Sequence, residues 1–280
     1  MSLFTDDTDL IDKIQKIIGR YPNISAMMKK KDWPRWKSIV SSAGGFQAYW
    51  DAPERKLNML VAAIMIYSND VSPNDFMQHG VGLFGKLNAW LGRFPGLIRD
   101  NSFMGKIKDL DGFSFLSCMT ELSLAAYLAD NNYTIQFEKK FLQQGKANQN
   151  DVDVSATDAD GNTLNFDVYM PNYGSEPSDF FDGHGQDNYF TYKVTEKLKG
   201  KFGNNGFSGL SGKTLLAVNY AFCDDVYARA LLPLMDNRAT FEGLQVSLPT
   251  GVDGIMYFTD NFNRGTSFHL DTVIYTGASV

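Results

Sequence analysis

Cysteine and histidine are scarce in this chain, which holds two of the first and three of the second in 280 residues. Cys118 and Cys223 are too few for a disulfide scaffold or a zinc ribbon, and both stand among apolar residues, as free buried thiols of a reducing compartment do. His79, His184 and His269 are scattered too widely for a local zinc signature. Long apolar runs are missing as well: the longest, Leu57 to Tyr67, contains Asn58 and is too short to cross a bilayer. The first residues, MSLFTDD, turn acidic at once, where a secretory leader needs basic residues and then an apolar stretch. There is no internal repeat and no low-complexity tract. These absences lead us to expect a soluble, cytoplasmic protein with no membrane partner.

What is present is enough apolar mass for a folded core, 44% hydrophobic and 14% aromatic. The net charge of −6 conceals an asymmetry, because residues 1–108 carry a balance of +5 and residues 109–280 one of −11. Two units are expected: a helical one over 1–108 and an α/β one over 109–280. An acidic chain is poorly suited to non-specific, high-affinity nucleic-acid binding, so any such contact has to be local.

Apolar spacing predicts a helix through Leu10, Ile14, Ile17 and Ile18, stopped by Tyr21-Pro22. Further helical segments are expected over Pro53–Tyr67 and from Phe76 to near Pro95. Between the first two of these helices, Lys29–Lys37 interleaves basic residues with Trp33 and Trp36. That pattern suits either stacking on bases and phosphate contact or two core tryptophans beside a solvated basic face. From about Asp111 the pattern changes. A strongly apolar helix runs to Ala129, followed by three period-two strands. These are centred on Tyr133–Phe137, Val152–Ala156 and Leu164–Met170, with a tight turn at Asp160-Gly161-Asn162. A Gly-, Pro- and Asp-rich loop leads to a basic amphipathic helix near Tyr189–Lys201. A strand over Lys213–Tyr220, a helix over Asp225–Leu232 and late strands over Gly254–Thr259 and Thr272–Tyr275 complete a mixed α/β layer domain.

Glu121 is the one charged residue of the helix 112–129. It either faces the helix's wet side or is buried and paired, since a lone buried carboxylate is costly. Strand alternation puts Asp151, Asp153 and Ser155 on one face of the second strand, and Asn165, Asp167 and Tyr169 on one face of the third. If these faces coincide and meet Glu121, three carboxylates converge. Such hard oxygen ligands suit Mg2+ or Mn2+. Otherwise the polar residues form a solvated antiparallel face.

The stretches ELSLAAYLADNNYTIQFEKK, NDVDVSATDADGNTLNFDVYMP, YKVTEKLKGKF and GKTLLAVNY resemble the PD-(D/E)XK nuclease superfamily, the restriction-endonuclease-like fold. The likeness covers roughly 111–220 and leaves the helical first part outside it. It implies a mixed-sheet core flanked by helices, and metal-dependent hydrolysis of nucleic acid, DNA ahead of RNA. It also implies that Glu121, Asp151 and Asp167 act as metal-binding and catalytic acids. Tyr169 stands where the motif has lysine, so the resemblance implies that the cation comes from the following helix, through Lys193 or Lys197. The alternative it leaves is a catalytically silent member of the fold, kept as a nucleic-acid or protein interaction module. GFSGLSGKT (206–214) is like a phosphate-binding loop, but its first glycine is displaced and the residues after it spell a strand rather than a helix. Asp182–Asp187 is expected to be a surface loop.

Overall fold

The computed structural model describes residues 7–42, 75–108, 113–171, 186–203, 205–221, 248–262 and 267–275. The chain divides into two compact units, 1–122 with 262–267 and 123–261 with 268–280. The expected helices over 53–67 and 225–232, and the loop holding Asp182 and His184, lie outside the described residues.

The described part of the first unit is helical. Helix α1 (Asp7–Ile18) buries Ile14, Ile17 and Ile18 on one stripe, as their spacing predicts. Pro22 does not only mark a stop. It opens α2 (Pro22–Met27) from the first helical turn, where its missing N–H costs nothing. In α3 (Asp32–Ser42) Trp36 is fully buried and meets Trp33 edge-on, so Trp36 is a core anchor rather than a stacking platform for bases. Asn23 ties α2 to α4 (Asp75–Arg93) through Asn88, its backbone N–H donating to Oδ1 at 2.9 Å and its side-chain amide to the carbonyl at 2.8 Å. After a 3-10 turn at Pro95–Arg99, Asp100 caps α5 (Asn101–Lys108), accepting from the N–H groups of Ser102 and Phe103. Period-3.6 reading does not anticipate α5, whose apolar residues are few. It is held instead by its cap and by burial of Phe103, Met104 and Ile107.

Helix α6 (Phe113–Asp130) is apolar all round, and the division between the units falls within it. The rest of the second unit is built on a seven-stranded sheet in the order β4-β1-β2-β3-β5-β6-β7. Strands β1 (Thr134–Gln143), β2 (Gln149–Thr157) and β3 (Thr163–Tyr169) form an antiparallel meander. The turn between β2 and β3 is organised by Asp158, whose carboxylate accepts from the N–H groups of Asp160 and Asn162 and from the Asn162 amide, while Gly161 takes φ +86°. Helix α7 (Gln186–Phe202) then leads through β4 (Phe207–Ser208) to β5 (Lys213–Asn219), which lies parallel to β3. Strand β6 (Gly254–Thr259) is parallel to β5, and β7 (His269–Tyr275) closes the edge antiparallel to β6. Strands β5 and β6 are buried nearly throughout, as strands covered on both faces are. Val194, Leu198 and Phe202 of α7 pack into a core with Phe141, Val152, Leu216, Val218, Ile255 and Tyr257.

Lys213 opens a strand, so 206–214 is not a phosphate-binding loop. Its glycines answer a different need. Gly212 has φ +82°, and a Cβ there would stand 2.0 Å from the Thr163 carbonyl oxygen.

Candidate active site

The register of β2 and β3 sets Ser155 opposite Asn165 and Val154 opposite Phe166. Opposed residues share a face, so the polar residues of the two strands lie on one side, and Ser155 Oγ donates to Asn165 Oδ1 at 2.7 Å. This side is not an open, solvated one: Ser155, Asn165 and Asp167 are all buried. Past Val154 and Phe166 a side chain takes over from the ladder. Asp153 Oδ2 accepts the Val168 N–H at 2.7 Å, which fixes that carboxylate beside Asp167.

Asp167 is wholly buried, and its two oxygens are compensated by ammonium groups from α7. Lys197 Nζ lies 3.0 Å from Oδ2, and Lys201 Nζ lies 2.6 Å from Oδ1. Lys201 also reaches Asp151 Oδ1 at 3.7 Å and Asp153 Oδ1 at 3.8 Å, so three carboxylates from two strands converge on one ammonium. Asp151 Oδ2 accepts from Lys140 Nζ of β1 at 2.7 Å. Burial acts to lower the Lys201 pKa, but the charges of Asp167, Asp153 and Asp151 outweigh it, and the group is held well above the ordinary lysine range. The hydrogen bond to Asp151 raises Lys140 in the same direction.

The end of α7 is anchored to the sheet. Asn150 Nδ2 donates to the Lys201 carbonyl at 3.1 Å, and Gln143 Nε2 donates to the carbonyls of Lys201 and, at 3.2 Å, Gly200. Tyr169, at the position where the motif has lysine, lies partly buried with Lys197 Nζ 5.8 Å from its ring centroid.

Of the residues expected from the sequence, Asp151, Asp167 and Lys197 are brought together within the second unit. Lys193 stands one helical turn before Lys197, half-buried. Glu121 belongs to the first unit, where it is buried and ion-paired with Lys106 at 3.6 Å, so it does not sit on a wet helix face. The residues that sequence reading missed are Lys140 of β1 and, against Asp167 itself, Lys201. The signal for Lys201 was there, since Lys193, Lys197 and Lys201 recur every four residues along α7. Cys118 is buried, as its apolar neighbours suggest, and His269 lies 3.2 Å from Asp271.

The donor set suits a hard divalent cation in kind, being all carboxylate, with both Asp167 oxygens buried and lacking a hydrogen-bond donor of good geometry. As the side chains stand, no three acidic, histidine or cysteine groups among the described residues form a ready cage. Around Asp167, the ammonium of Lys201 stands between the carboxylates. Among the described residues no helix is long and apolar enough to cross a membrane. No family model, curated protein or solved structure matches the chain.

Proposed function

We propose that the second unit is a divergent restriction-endonuclease-like module that hydrolyses phosphodiester bonds of nucleic acid, DNA ahead of RNA, with Mg2+ or Mn2+. The observation that carries this reading is the pairing of Asp167 with two lysines of α7, at 3.0 and 2.6 Å. A nuclease motif with tyrosine in place of its strand lysine needs a cation from elsewhere, and Lys197 and Lys201 supply it at the same carboxylate. The element order is consistent with it: a helix, an antiparallel meander of three strands, a second helix, and a strand parallel to the third.

In this reading Asp151 and Asp167 hold the metal. When bound, the metal supplies Lewis-acid polarisation of the phosphate and a more acidic water. The chain's own residues do the rest. Asp153, fixed by the Val168 N–H, adds negative charge beside Asp167. Lys197, 3.0 Å from Asp167, orients the attacking water or offsets charge growing on the phosphate oxygens.

Incubation of DNA and RNA with Mg2+ or Mn2+ tests the reading. Cleavage is expected to fall by about two to four orders of magnitude in Asp167→Ala. Asp151→Asn, at a half-exposed position, gives a second variant with less risk to folding. Equal cleavage by the wild type and both variants would refute the assigned site.

A second reading is a silent member of the same fold that binds nucleic acid or protein. It is favoured by the charge balance of the cluster, in which Asp151, Asp153 and Asp167 meet Lys140, Lys197 and Lys201. Retained nucleic-acid binding without cleavage under any metal would select it.

A further inference from the structure

The three carboxylates of β2 and β3 already have a cation among them. Lys201 Nζ lies 2.6 Å from Asp167, 3.7 Å from Asp151 and 3.8 Å from Asp153. With Lys140 and Lys197 on the outer oxygens, three negative charges meet three positive ones, and the group is neutral as built. A divalent ion bonds carboxylate oxygens at about 2.0–2.2 Å, closer than an ammonium does. Added to this arrangement without any movement, it would stand against Lys201 at near-contact distance, with repulsion that a site sheltered from water screens poorly.

The backbone of Lys201 is not free to retreat, because Asn150 and Gln143 hold its carbonyl. Its side chain is: four methylenes lead to the ammonium and the side chain as a whole retains 18% exposure, so solvent is within reach of a rotamer change.

We infer that Lys201 is a tethered cation occupying the divalent ion's place, so that metal entry and withdrawal of the Lys201 ammonium are one coupled event. This rests on the proposal that the carboxylates are a metal site. It adds to it a regulation: the resting cluster is closed by the chain's own lysine, and metal binding is weakened by the free energy of breaking its contacts. A polyanionic substrate offering a phosphate to the released ammonium lowers that cost, so metal and nucleic acid favour each other's binding.

The test is made on the full chain with Mn2+ as the probe. By calorimetry, Lys201→Met is expected to bind Mn2+ at least roughly tenfold more tightly than the wild type, the gain disappearing in Lys201→Met combined with Asp167→Asn. In the wild type, Mn2+ is expected to raise acylation of Lys201 by an amine-reactive reagent several-fold, read by peptide mass spectrometry, with exposed Lys199 unchanged as the reference. The labelling needs no variant, so it decides the matter even if Lys201→Met folds poorly. Mn2+ affinity that is no higher in a folded Lys201→Met, or saturation of the wild type with Lys201 labelling unchanged, overturns the inference, as does failure of both proteins to bind Mn2+. The nuclease reading fails separately. If Mn2+ frees Lys201 but no nucleic acid is cleaved, the tethered cation stands and the enzyme does not. If DNA is cleaved while Lys201 stays shielded, the reverse holds.

Discussion

At the scale of single residues, this chain repeatedly buries a carboxylate against a lysine. Asp32 and Lys108 illustrate it away from the candidate active site. Their side chains, 12% and 11% exposed, meet at 2.6 Å, and Asp32 Oδ2 also accepts the Lys29 N–H at 2.8 Å. Burial alone would push the Asp32 carboxyl upward. The hydrogen bonds and positive charges of Lys108, Lys29 and Lys31 outweigh it and leave the group below its ordinary value of 3.8. A depressed folded-state pKa means stability that is fully present above the unfolded value and lost as pH falls through the folded one. Asp32→Asn is therefore expected to cost about 3 kcal/mol at neutral pH, since it strands a buried ammonium. Urea unfolding as a function of pH should show the gap between the two proteins closing below about pH 4. A gap that persists unchanged into that range would show that the pair does not stabilise the fold through its charge.

At the scale of elements, backbone contacts rather than side chains set the entry to the sheet's parallel part. Gly212 precedes β5 where the chain passes over Thr163 at the start of β3, with φ +82° and no room for a Cβ. Gly161 shares the left-handed conformation but has open space around its Cα. Gly212→Ala is expected to destabilise by about 2 kcal/mol or more, and Gly161→Ala by about 1 kcal/mol, as measured by equilibrium unfolding. Equal losses would mean that the clash with Thr163 is relieved without cost.

Strands β2 and β3 were legible because period-two alternation is a local property of the sequence, and it placed Asp151, Asp153 and Asp167 on polar faces correctly. Helix α7 was legible for the same reason at period 3.6. Which of its lysines meets Asp167 was not. That depends on where the helix comes to rest on the sheet, which is set by Val194, Leu198 and Phe202 in the core and by Asn150 and Gln143 at its end. Lys201 escaped notice because that docking is a tertiary fact. Helix α5 escaped because a cap and a few buried residues, not an apolar stripe, hold it.

At the scale of the whole molecule, the change in charge near residue 108 and the change in periodicity near residue 111 both point to a helical part followed by an α/β part. Among the described residues five α-helices and a 3-10 turn precede α6 and the sheet follows it, and the compact units divide inside α6, at residue 122. Part of the acidic balance of the second part is gathered at one place: Asp151, Asp153 and Asp167 meet lysines on the sheet, where the proposed chemistry would occur. Manganese anomalous scattering from crystals grown or soaked in Mn2+ tests that proposal most directly. The expected result is a peak bonded to oxygens of Asp151 and Asp167, with the Lys201 ammonium moved away from them. Saturating Mn2+ with no peak there, and Lys201 still seated between the carboxylates, would contradict it.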